Sequence, residues 1–264
     1  NNRLQVVGVA YEAKIMRVSH DLNPLPTASS ELAGGINWAW QNGAHIINNS
    51  WGDWGGQHYN VLHSSILEDA IRNAMHLGRA GKGCVVVFAA GNHAPAMDYP
   101  GNFHSDILTI GSIDRTGTRV YDSAYGPSLD VVAPGEEILS TTPFNYVGIL
   151  GGTSMAAPHV SGIAALVLSV NPEMTGKMVT DIIERSAQKL PGYPASTYKA
   201  NGAWNNEIGY GLANAYRALL EIKPAIDFTL TNNSSCDLGG LYIGLTGKVG
   251  GANTTLIDHD PGDV

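Results

Sequence analysis

Cysteine is nearly absent from the chain. Cys84 and Cys236 are the only two in 264 residues, which permits one bridge at most and excludes a disulfide-stapled scaffold. Charge is sparse as well: Asp, Glu, Lys and Arg make up 14% of the sequence. That lies well below the roughly 25% of ordinary soluble domains and excludes a charge-rich disordered segment or a coiled coil. Basic residues are the scarcer sign, 15 against 23 acidic, for a formal net charge of -8. With no basic run to offset that balance, nucleic acid and anionic membrane surfaces are excluded as partners. No window holds the roughly 18 apolar residues of a membrane span. The first residue is Asn1 rather than Met and no signal-type apolar stretch follows it, so the true N-terminus is expected to precede Asn1 or to have been removed.

What the chain does have is glycine, 32 residues of it, and an apolar content of 44%. The length allows one large or two small domains with ample core. Short apolar runs alternate with amphipathic ones, predicting strands over 13–18, 45–48, 84–89, 107–111 and 129–132 and helices over 30–41, 64–79, 154–170, 176–188 and 214–221. In 64–79, Ile66, Leu67, Ala70, Ile71, Ala74 and Met75 share one face and Glu68, Asp69, Arg72 and Asn73 the other, the signature of a helix lying on a core. Such alternation implies an α/β fold with parallel strands and right-handed crossovers. The run 154–170 is apolar almost all round and predicts a buried central helix. After Pro224 the texture turns to Thr, Asn, Ser and Gly with short alternating stretches at 228–230 and 241–245. Residues 1–222 are therefore expected to form one domain, and 223–264 a linker and the start of an appended β-rich module.

Three segments carry candidate chemistry. Gly151-Gly152-Thr153-Ser154-Met155-Ala156-Ala157-Pro158-His159 is a glycine-rich turn that delivers a serine to the first turn of a helix, where partial positive charge lies beside any developing oxyanion. Pro158 is expected to be tolerated early in that helix. The competing reading is that Ser154 only caps the helix. Val85-Val86-Val87-Phe88-Ala89-Ala90-Gly91-Asn92 is a buried strand ending in Gly-Asn, where open α/β sheets place their sites. Asn92 there could donate to an oxyanion or simply end a strand. Ile46-Ile47-Asn48-Asn49-Ser50-Trp51-Gly52 runs from a strand into small residues against which an extended peptide could pair.

In this order the three segments resemble the subtilisin-like serine peptidases, or subtilases, from Asn1 to about Leu220. Tyr99-Pro100-Gly101, Leu129-Asp130-Val131-Val132-Ala133-Pro134-Gly135 and Gly209-Tyr210-Gly211-Leu212-Ala213-Asn214 look like further family landmarks. The resemblance implies a mostly parallel sheet with helices on both faces. It also implies Ser154 as acylating nucleophile, Asn92 as side-chain oxyanion donor, and Ser50, Trp51 and Gly52 with Ala89, Ala90 and Gly91 as backbone walls of a polypeptide-binding cleft. A secreted or cell-envelope endopeptidase, monomeric as an intact protein and needing no cofactor for catalysis, is the implied parent. Asn2, Leu4 and Val6 match a loop that in many subtilases supplies oxygens to a structural Ca²⁺.

The family order of the triad is Asp, His, then Ser, and neither an Asp-x-Gly turn nor a His-Gly-Thr-His helix start precedes Ser154 in a fitting context. None of His20, His45, His58, His63 or His76 fits, His93 and His104 come too late, and His259 lies in the tail. His159, five residues beyond Ser154 on one helix, points away from it and is expected to be a buried structural histidine bonded to backbone. Asp114 in Ile113-Asp114-Arg115-Thr116-Gly117 imitates the aspartate turn but falls after Asn92. The chain thus reads as a fragment beginning just downstream of the catalytic histidine, nearly inert by itself and with strand edges left uncovered. The alternative is a pseudopeptidase or polypeptide-binding module with a retained cleft. The loop from Asn92 to Tyr99 carries no readable specificity signature.

Overall fold

The structure, a computed structural model, describes residues 6–222 and the backbone of two strands at 243–249 and 252–259. The chain divides into two compact units, Asn1–Lys223 and Pro224–Val264. In the first, α1 (Ala28–Gln41), β1 (Ile46–Asn49), the short α2 (Tyr59–Leu62), α3 (Ser65–Gly81), β2 (Val85–Ala89), β3 (Leu108–Ile113) and β4 (Val131–Pro134) follow in order. A hairpin of β5 (Ile138–Thr142) and β6 (Tyr146–Leu150) precedes α4 (Thr153–Val170), then come α5 (Gly176–Arg185), a small hairpin of β7 (Thr197–Lys199) and β8 (Gly202–Trp204), and α6 (Ala215–Glu221). Strands β1 to β4 form one parallel sheet in that order. The fold is the α/β arrangement that the sequence implies, a parallel sheet with helices on both faces.

The sheet's burial follows from its strands. All five residues of β2 are buried, as a continuous apolar run requires when both faces are covered. Val85, Val87 and Ala89 pack into the cluster that holds α4, α5 and α6, whereas Val86 and Phe88 join Leu32, Ile36, Leu67 and Ile71 from α1 and α3 on the other side. Three helices start on side-chain caps: Ser64 Oγ accepts from Ile66 N–H, Thr175 Oγ1 from Met178 N–H and Asn214 Oδ1 from Arg217 N–H. Ser64 and Asn214 thus cap their helices from outside.

Helix α4 lies across the sheet, with Ala156, Ala157, Val160, Ile163, Ala164 and Val167 buried against it. Its mean hydropathy of 1.4 over 18 residues makes it long and apolar enough to cross a membrane by length and composition, yet its apolar face is used within this core. Pro158 is the sixth residue of α4, not part of its first turn as expected. It therefore removes an intrahelical donor, the one that the Ser154 carbonyl would otherwise receive. Ser50 Oγ supplies that carbonyl with a hydrogen bond of 2.9 Å instead.

Two expectations are corrected. Residues 13–18 form no strand; the segment is exposed, with Ile15 at 93%. Alternation alone does not make a strand without an edge to pair with, and β1 pairs only with β2 among the described residues. The helix predicted over 64–79 breaks earlier: Gly78 is extended and Arg79 and Ala80 are left-handed at φ 53° and 56°. There the Arg79 guanidinium donates to the carbonyls of Gly83, Pro172 and Met174, acceptors mostly distant in sequence. In the second unit β9 (Ile243–Val249) and β10 (Ala252–His259) pair antiparallel, with a register shift between Thr255 and Ile257. The expected stretch 228–230, and 241–242 of the other, lie outside the described residues.

Candidate active site

The β5–β6 hairpin returns the chain to the end of β4, where Gly152 N–H donates to the Gly135 carbonyl at 2.6 Å. Gly152, at φ 120°, then turns the chain into α4, a conformation that favours glycine. Ser154 is the second residue of the helix and does not cap it. Its Oγ donates outward to the Ser50 carbonyl at 3.2 Å, so the capping reading of this serine fails.

Asn92 stands at the carboxyl end of β2 with its amide oriented by the residue beside Ser154. Its Oδ1 accepts from Thr153 N–H at 2.9 Å and from Thr153 Oγ1 at 3.1 Å, and Thr153 Oγ1 accepts from Gly91 N–H at 3.2 Å. Thr153 is fully buried, which makes it a firm anchor. The Asn92 Nδ2 group makes no hydrogen bond among the described residues. A Cβ on Gly152 would stand 3.1 Å from it, so the turn before the serine must be bare for the amide to reach past it.

Ser154, Asn92, Ser50, Trp51, Gly52, Ala89 and Gly91 line one cavity of about 380 Å³. Ala90 lies behind it, fully buried, with its carbonyl accepting from Asp98 N–H at 2.8 Å. The Trp51 ring packs edge-on against Phe88 at 5.1 Å and so holds one wall to the core. Asn48 ties the same wall to α4: its Nδ2 donates to Ser50 Oγ at 3.0 Å and its Oδ1 accepts from Ser161 Oγ at 2.9 Å. The sequence segments around 50, 90 and 154 thus meet at one cleft.

Two buried carboxylates lie beneath it. Asp53 Oδ1 accepts from Gly56 and Tyr99 N–H, and Asp98 Oδ1 accepts from Gly55 N–H at 2.7 Å. Asp98 lines the cavity itself. Its carboxyl is pushed up to about 6, chiefly by burial and further by the charge of Asp53, against the opposing pull of the Gly55 N–H. A Cβ added to Gly52 would come within 2.5 Å of Asp98, and one added to Gly91 within 2.5 Å of its Oδ1. Both walls are therefore glycine where Asp98 passes beneath them. Sequence reasoning missed this residue because it lies in the 92–99 loop, which has no motif.

A subtilase family profile matches residues 1–211. The chain belongs to the subtilase family. It is similar to subtilisin BL of Lederbergia lenta, 35% identical over 83% of this chain and 72% of that protein. A thermostable alkaline protease of Halalkalibacterium halodurans is 37% identical over 83% of this chain and 54% of that one. Among solved structures, a protease from Pseudoalteromonas arctica superposes with a TM-score of 0.64 at 31% identity, covering 81% and 64% of the two chains. The prenylagaramide maturation protease PagA gives 0.66 at 26%, over 83% and 77%. Subtilases are serine endopeptidases, and this chain is a subtilase in its sequence, its fold and the meeting of its three segments.

Among the described residues no histidine is hydrogen-bonded to Ser154 Oγ, which donates to the Ser50 carbonyl instead. His20 lines the same cavity, but its Nδ1 accepts from Leu22 N–H at 2.8 Å and its Nε2 is bonded to Glu31 Oε2 at 2.9 Å. His159 Nδ1 is bonded to the Met155 carbonyl at 2.8 Å, as expected for a structural histidine, although it is half-buried rather than buried. Asp114 closes its own turn, with Oδ1 accepting from Thr116 and Thr118 N–H. Asn2 and Leu4, expected to bind calcium, lie outside the described residues, and Val6 is half-buried on a loop. Among the described residues no cluster of three or more His, Cys, Asp or Glu side chains could hold a metal ion.

Proposed function

We propose that this chain carries the nucleophile and the oxyanion site of an endopeptidase that works through an acyl-enzyme on Ser154. The observation that carries the reading is the orientation of Asn92. With Oδ1 held by Thr153, its Nδ2 joins the Ser154 N–H as a donor pair beside the Ser154 hydroxyl, the arrangement that stabilises charge as it develops.

Ser154 Oγ leaves the Ser50 carbonyl, passes its proton to a histidine base and bonds to the scissile carbonyl carbon. The carbonyl oxygen takes the electron pair and is held by Asn92 Nδ2 and the Ser154 N–H. Collapse expels the amine, which receives the proton from the base, and water then releases the acyl group by the reverse sequence. The histidine and its orienting aspartate belong, in this proposal, to the parent protein upstream of Asn1. The substrate lies extended between the walls Ser50-Trp51-Gly52 and Ala89-Ala90-Gly91, with Ala90 behind the second wall and its backbone already bonded within the protein. The reaction as written needs no cofactor; a calcium ion at Asn2, Leu4 and Val6 would have a structural role only. A monomeric parent that is secreted or held at the cell envelope, with residues 223–264 opening a separate β-rich module, completes the reading; the bacterial subtilisin and alkaline proteases among its relatives favour the extracellular location alone.

In the complete protein, Ser154→Ala is expected to abolish labelling by a fluorophosphonate probe. Labelling that persists removes Ser154 from the role. Absence of labelling in the unsubstituted complete protein favours instead a cleft that binds polypeptide without cleaving it, which the bond from Ser154 Oγ to the Ser50 carbonyl also suits.

A further inference from the structure

A carboxylate in the cleft calls for a full positive partner, and no lysine or arginine among the described residues lines the cavity with it. Asp98 is only 6% exposed and lines the cavity that contains Ser154 and Asn92, a cavity with no lysine or arginine in its lining. No lysine or arginine forms an ion pair with it among the described residues; the Gly55 N–H donates to Oδ1, and His93 and the Trp54 N–H add only smaller favourable influences. The other acidic group nearby, Asp53, adds like charge. Burying a carboxylate without a countercharge is costly, so its retention needs a compensating use.

The position of Asp98 says which use. The backbone walls at Gly52 and Gly91 both lack side chains over it, which leaves the carboxylate as the polar floor of the gap between them. A substrate residue whose carbonyl sits between Ser154 and Asn92 directs its side chain into that gap. Trp54, held at φ 61° and stacked on His58 at 6.0 Å, adds an aromatic surface to the same cavity. Such a surface suits the methylene stem of a long cationic side chain.

Resting on the peptidase reading above, we propose that Asp98 is a specificity-determining residue that selects lysine or arginine at the substrate residue whose carbonyl Ser154 attacks. The lysine or arginine supplies a charge that the cavity's lining lacks. Discrimination arises because a neutral side chain leaves the carboxylate buried and unpaired.

The test uses the complete protein and two peptidyl aryl phosphonates that label the active serine and differ only in the final side chain, 4-aminobutyl in one and n-butyl in the other. The aminobutyl probe is expected to label Ser154 about tenfold faster or more, and Asp98→Asn is expected to bring the ratio to unity or below. The ratio in the unsubstituted protein decides the matter even if Asp98→Asn does not fold. Equal rates there, or a preference for the n-butyl probe, overturn the proposal while leaving the peptidase reading intact. A tenfold preference that survives unchanged in a folded Asp98→Asn also overturns it. If neither probe nor a simple fluorophosphonate labels Ser154, the peptidase reading fails and takes this proposal with it.

Discussion

Ser50 and Ser154 hold each other by two hydrogen bonds of opposite sense: Ser50 Oγ donates to the Ser154 carbonyl at 2.9 Å, and Ser154 Oγ donates to the Ser50 carbonyl at 3.2 Å. The first of these replaces the donor that Pro158 takes out of α4. Ser50→Ala should therefore lower stability by about 1 kcal/mol, the usual net worth of a part-buried hydrogen bond, and Ser50→Ala in a Pro158→Ala background should cost clearly less. Thermal unfolding of the four proteins in this cycle measures the difference. Equal losses in both backgrounds would show that Ser50 is not serving the carbonyl that proline leaves bare.

Asn92→Ala in the complete protein is expected to reduce kcat by about 10²–10³ with little change in KM, the range found on removing a single oxyanion donor in subtilisin itself. Thr153→Val, which removes the hydroxyl bond to Asn92 Oδ1 but keeps the backbone one, should give a smaller loss in the same parameter. Steady-state kinetics on one peptide substrate reads both. A Thr153→Val loss that falls on KM alone would argue that Thr153 does not position the amide.

Gly52→Ala should close the cleft floor, because its Cβ would lie 2.5 Å from Asp98 where nothing can yield without moving the carboxylate. A stability loss of about 1–3 kcal/mol is expected from such overpacking. Asp98→Gly in the same chain, which removes the Asp98 Cβ that lies nearest as well as the carboxylate, should recover most of it. Denaturant unfolding supplies the coupling energy, and additive losses would mean that the two groups do not compete for space.

Glu184 gives a pH dependence with a definite sign. Burial, with the neighbouring charge of Asp181, pushes its carboxyl from 4.5 to about 7, while the Asn201 amide opposes the change. The folded chain thus keeps a proton that the unfolded chain releases, so this contribution to stability is complete below pH 4.5 and is lost as pH rises through about 7. The Glu184→Gln variant should show a shallower fall in Tm across that interval than the unsubstituted protein. Parallel Tm profiles would remove Glu184 as the source.

The sequence was most informative where one local pattern and the global packing agree. The run of valines in β2 reads as a two-faced buried strand because both its faces are in fact covered, and 64–79 reads as a helix because its apolar stripe lies on the core. It was least informative where a partner is remote. The break at Arg79 depends on carbonyls at Pro172 and Met174, and the role of Pro158 on a hydroxyl at Ser50. Residues 13–18 have the alternation of a strand but no edge to complete it. At the cleft, the motifs made legible the segments around 50, 90 and 154 that the fold brings together, Ala90 lying behind the cavity. Asp98 was not legible, since a single acid in an irregular loop reveals its environment only once Gly52 and Gly91 are folded over it.

The placement of Ser154 in the first turn of α4 has a mechanical consequence. At about 1.5 Å per residue, the 18 residues of α4 form a rod of some 27 Å clamped across four strands, with the Ser154 hydroxyl at one tip. Any loosening at Val167 or Leu168, near the far end, swings that tip through an arc, so heat inactivation should track the melting of the sheet with no earlier softening of the site. Tightening this rod's seat, rather than the surrounding loops, is accordingly the route by which a hotter-working variant would keep its aim.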